Sequence, residues 1–471
     1  MSGREAVAMM PSIRRMSDPS PLRASPNDFP CTDVGNAARF AAYHHDLVRY
    51  SANVGWLTWD TARWSRDETG EVQRLARQTV RAIYSEAGAA DDRNRRAELA
   101  AWAKASDSRR GIDNMLALAK SELGIACRDS IFDRDPYKIN TFSGIVDLRT
   151  ADFLPHDPEQ NFTKLAPVFY RPQALCPRWC AFIDRIMDGD HDRMAFLQRA
   201  FGYSLTGDTS EQVMFVLYGR GANGKTTLLE VMRTILGDYA MHTPAETLMV
   251  KSGAGITNDV ARLRGARFVS AVEADQGRRL AEPLIKQMTG MDTLTARFLY
   301  HESFEFRPSF KVWLATNHKP VIRGTDHAIW RRIRLVPFDV TIPDAERDRT
   351  LVEKLLAESP GILWWAVQGY LAWRENGLGS CEAVTAATAE YRAEMDPLTD
   401  FIAEECVVSE GLHGYGLHEA YERWCSKGGQ KDVLNARDFK GRMEARGFVH
   451  GRDSRRRFFS GIGLVARESE S

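Results

Sequence analysis

An apolar run followed by a glycine-rich octapeptide constrains the fold of this chain more than any other feature. Residues 213–218 lead directly into Gly219-Arg220-Gly221-Ala222-Asn223-Gly224-Lys225-Thr226. This order predicts a buried strand, a glycine-rich loop and a helix over residues 227–236. Glycines let the backbone curl so that successive N–H groups point inward, and the helix adds the positive end of its dipole. The order therefore predicts the phosphate-binding loop of an NTPase in an α/β fold.

The residue types of this loop predict how a nucleoside triphosphate would be bound. We expect Lys225 to reach the β- and γ-phosphates and the Thr226 hydroxyl to hold Mg²⁺. The predicted cofactors are therefore ATP and Mg²⁺. The predicted nucleotide-binding residues are Gly219, Gly221, Ala222, Asn223, Gly224, Lys225, Thr226 and Thr227.

Two further predicted strands end in polar side chains. Residues 267–275 are mostly apolar up to Glu273 and Asp275, where such ATPases place the carboxylate that supports Mg²⁺ and polarises the attacking water. Residues 310–317 end at Asn317, which is suited to hold the lytic water against the γ-phosphate. Glu273, Asp275 and Asn317 are therefore predicted catalytic residues, although a strand that ends in a solvated acid or a turn former is the alternative.

Arg331, Arg332 and Arg334 lie beside apolar neighbours a few residues further along the chain. One of these arginines would suit a finger that reaches the γ-phosphate held by a neighbouring subunit. A finger acting between subunits requires a head-to-tail interface, and such interfaces close into rings. The cluster therefore predicts self-association.

Residues 293–306 contain two β-prone runs around a polar turn, which predicts a hairpin. We expect Arg297 to contact phosphate while Tyr300 or His301 stacks on or brackets single-stranded DNA. An edge hairpin with ordinary aromatic packing is the alternative.

At 471 residues the chain exceeds one compact core. Its formal net charge is zero, so nucleic-acid binding has to come from local basic clusters. We expect a C-terminal winged helix of two helices and a hairpin. Its predicted DNA-binding residues are Arg455, Arg456 and Arg457, in a basic cluster with Lys440, Arg442, Arg446 and Arg452. A solvated basic face is the alternative. The predicted segments are a disordered leader (1–33), a mostly helical N-terminal domain (34–200), an ATPase core (201–345), a helical connector (346–396) and the winged-helix domain (397–471).

The succession of these motifs resembles superfamily 3 helicases, and more narrowly the helicase module of phage and plasmid primases and of the poxvirus primase-helicase. Residues 273–280, 286–292, 313–320 and 330–332 carry the likeness. The resemblance implies an AAA+-like core with Glu273 as the motif-B acid and a Mg²⁺ ligand. It makes Asn317 the sensor and places the finger among Arg331 and Arg332, of which Arg332 is favoured. The division of roles between Glu273 and Asp275 stays open, because Ala274 stands where many members have a second acid.

These expectations describe an ATP-hydrolysing DNA helicase or translocase of a phage, prophage or plasmid, acting as a ring, with a hexamer expected, on single-stranded or forked DNA. An origin-binding initiator and a protein-remodelling ATPase are the alternatives. No closely spaced carboxylates suited to primer synthesis precede residue 201, so a separately encoded primase or other replication proteins are expected as partners. The chain has no apolar run of membrane-spanning length and no signal peptide, and the expected location is the cytoplasm of a bacterial host.

Overall fold

The computed structural model describes residues 29–250, 258–272, 276–298, 302–323, 327–396, 398–427 and 433–465. The chain divides into two compact units. The first comprises Met1–Arg171 and Leu236–Tyr239, and the second comprises Pro172–Ile235 and Ala240–Ser471. The second unit thus begins earlier than the predicted ATPase core and includes the helices of residues 177–204.

The first unit combines helices with two small antiparallel sheets. The helices are α1 (Asp33–His44), α2 (Glu71–Ala89), α3 (Arg93–Ser106) and α4 (Arg109–Ala119). One sheet contains β1 (Val48–Ser51), β2 (Gly55–Trp59) and β3 (Trp64–Arg66), and the other contains β4 (Lys138–Asn140), β5 (Ile145–Asp147) and β6 (Asp152–Leu154). The predicted helical character is confirmed, but the strands β1–β3 interrupt the region that was expected to be helical.

A buried ion pair ties α1 to α2 in the first unit. The Arg39 guanidinium is fully buried and donates to both carboxylate oxygens of Glu86 at 3.0 to 3.1 Å. The Tyr43 hydroxyl donates to the same carboxylate at 3.0 Å. Burial and the Glu86 charge raise the pKa of Tyr43 to about 12. Because each polar group is paired, the helices can bury these charges without leaving an unmatched ion.

A five-stranded parallel sheet forms the centre of the second unit. Its strands lie in the order β13-β7-β12-β9-β8. The first of these strands along the chain, β7, therefore lies between the last two, β12 and β13. The three central strands are apolar along almost their whole length, as expected for strands covered on both faces. The strands are β7 (Met214–Tyr218), β8 (Ala240–His242), β9 (Phe268–Val272), β12 (Lys311–Thr316) and β13 (Ile333–Pro337).

Helices cover this sheet, and one face is held by stacked aromatic rings. Trp313 of β12 stacks on Phe201 with ring centroids 4.4 Å apart and on Phe215 at 4.2 Å. The Trp313 indole N–H donates to the Ser204 hydroxyl at 3.1 Å, so its polar atom is satisfied in the core. The helices of this unit up to residue 394 are α5 (Pro177–Ile186), α6 (His191–Ser204), α7 (Lys225–Leu236), α8 (Asn258–Ala261), α9 (Glu282–Thr289), α10 (His327–Trp330), α11 (Leu351–Leu356), α12 (Ser359–Asn376) and α13 (Glu382–Glu394).

Helices α6 and α12 cross with their backbones in contact. A Cβ atom at Gly202 would lie 2.0 Å from the backbone nitrogen of Tyr370. A Cβ atom at Gly369 would lie 2.0 Å from the carbonyl oxygen of Gln198. Only glycine permits this approach, so α12, from the predicted connector, packs directly on α6 within the second unit.

Two buried basic side chains lie at the end of the sheet where β9 and β12 begin. The fully buried Lys311 donates from Nζ to the carbonyl oxygens of Thr206 and Asp208 at 2.5 and 3.0 Å, and Arg267 donates to the carbonyl of Leu205 at 2.7 Å. Burial and the nearby Arg267 lower the pKa of Lys311 well below its ordinary value. These cations satisfy carbonyl groups at the carboxyl end of α6, where they complement its dipole.

The predicted hairpin is present as β10 (Leu294–Arg297) and β11 (Ser303–Phe306), paired antiparallel. Leu294 and Ala296 are buried, whereas Arg297 faces solvent, as the two-residue period of a strand requires.

The C-terminal domain, residues 398–465, contains three helices and a three-stranded antiparallel sheet in the order β14-β16-β15. Phe401, Tyr421, Phe439 and Ile462 pack into its core. The predicted pair of helices and the hairpin are confirmed, whereas α14 and β14 were not predicted. The elements are α14 (Leu398–Glu405), β14 (Cys406–Tyr415), α15 (Leu417–Lys427), α16 (Ala436–Ala445), β15 (Val449–Arg452) and β16 (Arg457–Leu464).

Candidate nucleotide-binding site

The glycine-rich loop forms a pocket of about 250 Å³ at the carboxyl ends of β7, β9 and β12. The loop connects β7 to the first residue of α7, as the sequence predicted. The carboxyl ends of parallel strands are where open α/β sheets bind ligands. The pocket is lined by Gly221, Ala222, Asn223, Gly224, Lys225, Thr226, Thr227, Val272, Ala315, Thr316 and Asn317.

The loop backbone adopts conformations that favour glycine. Ala222 and Gly224 have φ angles of 62° and 83°. A Cβ atom at Gly224 would lie 2.6 Å from Ile186 of α5, and one at Gly219 would lie 2.2 Å from the carbonyl oxygen of Phe338. A Cβ atom at Gly221 would meet nothing within 4 Å. Glycine is therefore required at two of the three positions, because neighbouring chain segments press against the loop there.

Lys225 lies at the base of the pocket with only 5% of its surface exposed. Its ammonium group donates to the carbonyl of Gly219 at 2.7 Å, to Asn223 Oδ1 at 2.9 Å and to Asn317 Oδ1 at 3.1 Å. Burial lowers the pKa of Lys225 to about 8. These three acceptors are neutral, so among the described residues the lysine charge has hydrogen bonds but no acidic partner, and an anionic ligand would supply a counter-charge.

Asn223 and Asn317 place two side-chain amides around this lysine. The Asn223 amide also donates to the carbonyl oxygens of Arg220 and Phe338 at 2.6 and 3.2 Å. Asn317 follows the last residue of β12 and is exposed. The structure therefore brings the predicted sensor and the predicted phosphate lysine into direct contact, which the sequence spacing of the two residues did not reveal.

The predicted acidic residues Glu273 and Asp275 lie outside the described residues. Val272, the last residue of β9, lines the pocket. Thr226 is exposed at the start of α7, where its hydroxyl can reach a cation. In the described ranges, no group of three or more His, Cys, Asp or Glu side chains could hold a metal ion. Thr226 would fit a Mg²⁺ ion that water and substrate phosphates also hold, the usual arrangement for this cation.

Arg331 and Arg332 differ in accessibility. Arg331 is exposed and donates to Gln212 Oε1 at 3.2 Å. Arg332 has only 8% of its surface exposed and donates to the carbonyl of Ala328 at 2.5 Å and to Gln212 Oε1 at 3.4 Å. An arginine that reaches a neighbouring subunit has to be accessible, so the geometry favours Arg331 over the Arg332 that the resemblance suggested.

The predicted DNA-contacting residues of the β10–β11 hairpin are described only in part. Arg297 is exposed at the end of β10, whereas Tyr300 and His301 lie outside the described residues. Phe298 stacks on Phe304 with ring centroids 5.3 Å apart, so part of the aromatic content of the hairpin packs within it.

In the C-terminal domain, only some of the predicted basic residues face solvent. Arg455, Arg456 and Arg457 are exposed at the β15–β16 turn. Arg446 forms an ion pair with Asp396 at 2.6 Å, and Arg442 donates to the carbonyl of Arg323 at 2.5 Å. Of the seven residues predicted to cluster on this domain, Arg442 and Arg446 thus use their guanidinium groups in internal contacts.

The sequence did not indicate the residues that brace the loop from outside. Phe182 and Ile186 of α5 press on Gly224, and the backbone N–H of Ile342 donates to the carbonyl of Ala222 at 2.7 Å. These residues lie far from the loop in sequence. Only the apolar period of α5 signals that one face of this helix is buried.

Three family matches cover successive parts of the chain. Residues 37–188 match the family described as D5 N terminal like, and residues 393–448 match the family described as Poxvirus D5 protein-like. Residues 217–332, which include the loop, match a family of unknown function. The resemblance to the poxvirus primase-helicase that the motifs predicted is thereby confirmed.

Several viral proteins are similar to this chain. A protein of Acanthamoeba polyphaga mimivirus named "Putative helicase" is 26% identical over 67% of this chain and 35% of its own length. One of Frog virus 3 with the same name is 29% identical over 48% of this chain and 25% of its own. A "Putative primase" of African swine fever virus is 23% identical over 62% of this chain and 33% of its own. The chain thus spans a quarter to about a third of these relatives, and they do not support the predicted bacterial host.

Among solved structures, the apo C-terminal region of NrS-1 is similar at 11% identity, with a TM-score of 0.40 over 63% of this chain and 78% of that one. None of the helices in the described ranges is long and apolar enough to cross a membrane.

Proposed function

We propose that the chain is the ATP-hydrolysing motor of a DNA replication protein, a helicase or translocase of the superfamily 3 type. The observation that carries this proposal is the buried Lys225 ammonium at the base of a glycine-rich pocket, where its hydrogen-bond acceptors among the described residues are all neutral. Such a group fits a polyphosphate better than any neutral ligand. The helicase and primase names of the viral relatives support a role in replication.

The phosphate-binding step follows from the loop geometry. The curled backbone at Ala222 and Gly224 and the first turn of α7 present N–H groups to an anion. Lys225 would exchange a neutral acceptor for a phosphate oxygen. Mg²⁺ bound with ATP would neutralise charge that develops on the transferred phosphoryl group.

Asn317 is proposed to report the state of the site. In the present arrangement its side-chain oxygen accepts from Lys225 at 3.1 Å. A γ-phosphate that engages Lys225 would compete for this hydrogen bond and free the Asn317 amide to orient the attacking water. Glu273 or Asp275, which follow β9, would act as the base, and the choice between them belongs to the proposal.

Assembly into a ring, with six subunits expected, is also part of the proposal. Arg331 is the exposed arginine of its cluster and is proposed as the finger that completes a neighbouring subunit's site. The β10–β11 hairpin, with Arg297 exposed, is proposed to hold single-stranded DNA in the channel. The C-terminal domain has the helix and hairpin order of a winged helix and is proposed to bind DNA through its β15–β16 turn.

The test is ATP hydrolysis with and without single-stranded DNA, for the wild type and Lys225→Ala, together with unwinding of a forked duplex. We expect DNA to stimulate hydrolysis, and we expect hydrolysis and unwinding to fall at least about a hundredfold in the variant, because a preorganised cation is lost from the reacting phosphates. Arg437→Gln, which removes an exposed charge far along the chain from the loop, is the control for charge loss alone.

Two results would contradict the proposal. Hydrolysis that ignores DNA would favour a protein-remodelling ATPase. Tight binding to one duplex site without strand separation would favour an origin-binding initiator. A particle that stays monomeric with ATP and DNA present would exclude the ring while leaving the ATPase assignment intact.

A further inference from the structure

A second pocket, of about 570 Å³, lies in the C-terminal domain between α15, α16 and the β15–β16 hairpin. Its size falls in the range of small-molecule sites. Six aromatic or imidazole rings line it: Tyr415, His418, Phe439, His450, Phe458 and Phe459. His418 lies edge-on to Phe439 and His450 edge-on to Phe459, each with centroids 5.2 Å apart. Phe439 and Phe459 are buried in the core and hold the two partly exposed imidazoles, which are flat rings that a nucleobase can reach.

Cations surround these rings. Lys440, Arg456 and Arg457 line the pocket and are exposed, and Glu419 is the one carboxylate among the lining residues. Lys440 lies 3.7 Å from Glu444 on its own helix, a solvated contact that a phosphate can displace. Burial, with Lys440 and Arg457 nearby, lowers the pKa of His450 and so favours its neutral ring. A positive rim above a neutral aromatic floor is complementary to a phosphate attached to a base.

The hairpin turn that carries these arginines is held in one shape. Asp453 accepts hydrogen bonds from the backbone N–H groups of Arg455 and Arg456 at 2.7 and 2.6 Å and from the Tyr415 hydroxyl at 2.9 Å. The turn therefore presents Arg456 and Arg457 to the pocket, whereas Arg455 does not line it. Because the turn directs two of its three arginines to the pocket, the pocket differs from a uniformly basic surface.

We infer that this pocket binds a single nucleoside phosphate unit, with the base against the partly exposed rings of His418 and His450 and the phosphate at Lys440, Arg456 and Arg457. Two sources share this chemistry: an unpaired nucleotide of a DNA strand and a free nucleotide. The DNA source rests on the proposed function, whereas the free nucleotide does not.

The experiment measures binding of a short fluorescent oligothymidylate to the full chain without ATP, so that the outcome does not depend on hydrolysis. Lys440→Gln/Arg457→Gln removes two pocket cations, and Arg437→Gln on the same helix α16 removes an exposed cation that does not line the pocket. We expect the pocket variant to bind about tenfold more weakly and the control less than about twofold. Far-ultraviolet circular dichroism and the melting temperature verify that each variant is folded.

A second measurement tests the aromatic floor. An oligothymidylate that carries 5-iododeoxyuridine is cross-linked to the protein by light, and the modified peptides are sequenced. Cross-links of the oligonucleotide to His418 or His450 would support the DNA source. Cross-links of 5-iododeoxyuridine monophosphate to the same residues in the Lys225→Ala background, without oligonucleotide cross-links there, would support the free nucleotide.

Equal weakening by the pocket variant and by Arg437→Gln, with cross-links of the oligonucleotide and of the monophosphate only outside the pocket, would overturn the inference. The two proposals can fail separately. ATP hydrolysis that DNA does not stimulate, together with DNA binding that depends on the pocket residues, would refute the motor. ATP hydrolysis that DNA stimulates, together with binding that does not depend on the pocket residues, would refute the pocket.

Discussion

The glycine-rich loop and the β15–β16 turn are both proposed to meet a phosphate, but their positive charges lie in opposite surroundings. Lys225 is 5% exposed and holds three hydrogen bonds to its own chain. Arg455, Arg456 and Arg457 are exposed at the turn of a three-stranded sheet. The comparison shows that one site relies on geometry and the other on charge. A buried group contributes a large binding free energy and tolerates little change in its position. An exposed cation contributes a small binding free energy, which salt reduces.

The largest expected effect concerns the shape of the loop. Gly224→Ala should lower the free energy of unfolding by about 2–4 kcal/mol, because it adds a Cβ at a φ of 83° and within 2.6 Å of Ile186. Gly221→Ala should change it by less than about 0.5 kcal/mol, since a Cβ there meets nothing within 4 Å. Urea denaturation of both variants measures the difference, and equal stability would show that the loop is not a geometric site.

The next effect concerns the contact between Lys225 and Asn317. Asn317→Ala should lower the rate of ATP hydrolysis by about a hundredfold while nucleotide binding changes little, because the amide acts on the water and not on the bound phosphates. Steady-state kinetics together with equilibrium binding of a non-hydrolysable ATP analogue separate the two quantities. If binding falls as far as the rate, Asn317 has a binding role and the sensor assignment is wrong.

A third effect tests the burial of Lys225 through pH. Its pKa is lowered to about 8 in the absence of ligand, and a bound triphosphate would favour the charged form and raise the pKa. At a pH between the pKa of free Lys225 and its pKa with bound triphosphate, Lys225 takes up a proton when the nucleotide binds. Nucleotide affinity should therefore fall as pH rises above about 8, by up to about tenfold per pH unit.

Calorimetric titration at pH 8.5 in two buffers with different ionisation enthalpies measures this proton uptake. Lys225→Met should abolish the part that belongs to the lysine. The same uptake in the variant would assign the proton to another group.

The smallest effect is expected at the exposed turn. Arg455→Gln should weaken binding to single-stranded DNA only slightly and reduce the slope of log affinity against log salt by about 0.7. Anisotropy titrations between low and moderate salt measure this slope. A loss that is independent of salt would indicate that Arg455 makes a specific geometric contact, and the contrast with the loop would then disappear.

The sequence indicated the central elements of the second unit because they are long and strongly patterned. β7 and β12 are buried apolar runs with distinctive polar termini, and α15 and α16 have clear apolar periods. The strands β1 to β3 were missed because they are only three to five residues long and rich in aromatic and charged residues, which suit helix and strand alike.

The site was predictable in its residue types and only partly in its contacts. The loop signature specifies a backbone shape, so Lys225 and Thr226 could be assigned locally. The support from Ile186, Phe338 and Ile342 could not be foreseen, because it comes from segments that the fold brings together. For the same reason, the sequence did not reveal that Arg332, Arg442 and Arg446 turn toward their own chain.

The glycine crossing of α6 and α12 sets the size of the smallest fragment that can be expected to work. A fragment cut at residue 345 would contain every predicted catalytic residue. It would lack α12, whose Gly369 packs on Gln198 and whose Trp365 lies against Trp179 and Phe201. The rings behind the sheet would then meet water. An expression fragment that holds the parallel sheet therefore has to continue beyond Asn376, the last residue of α12.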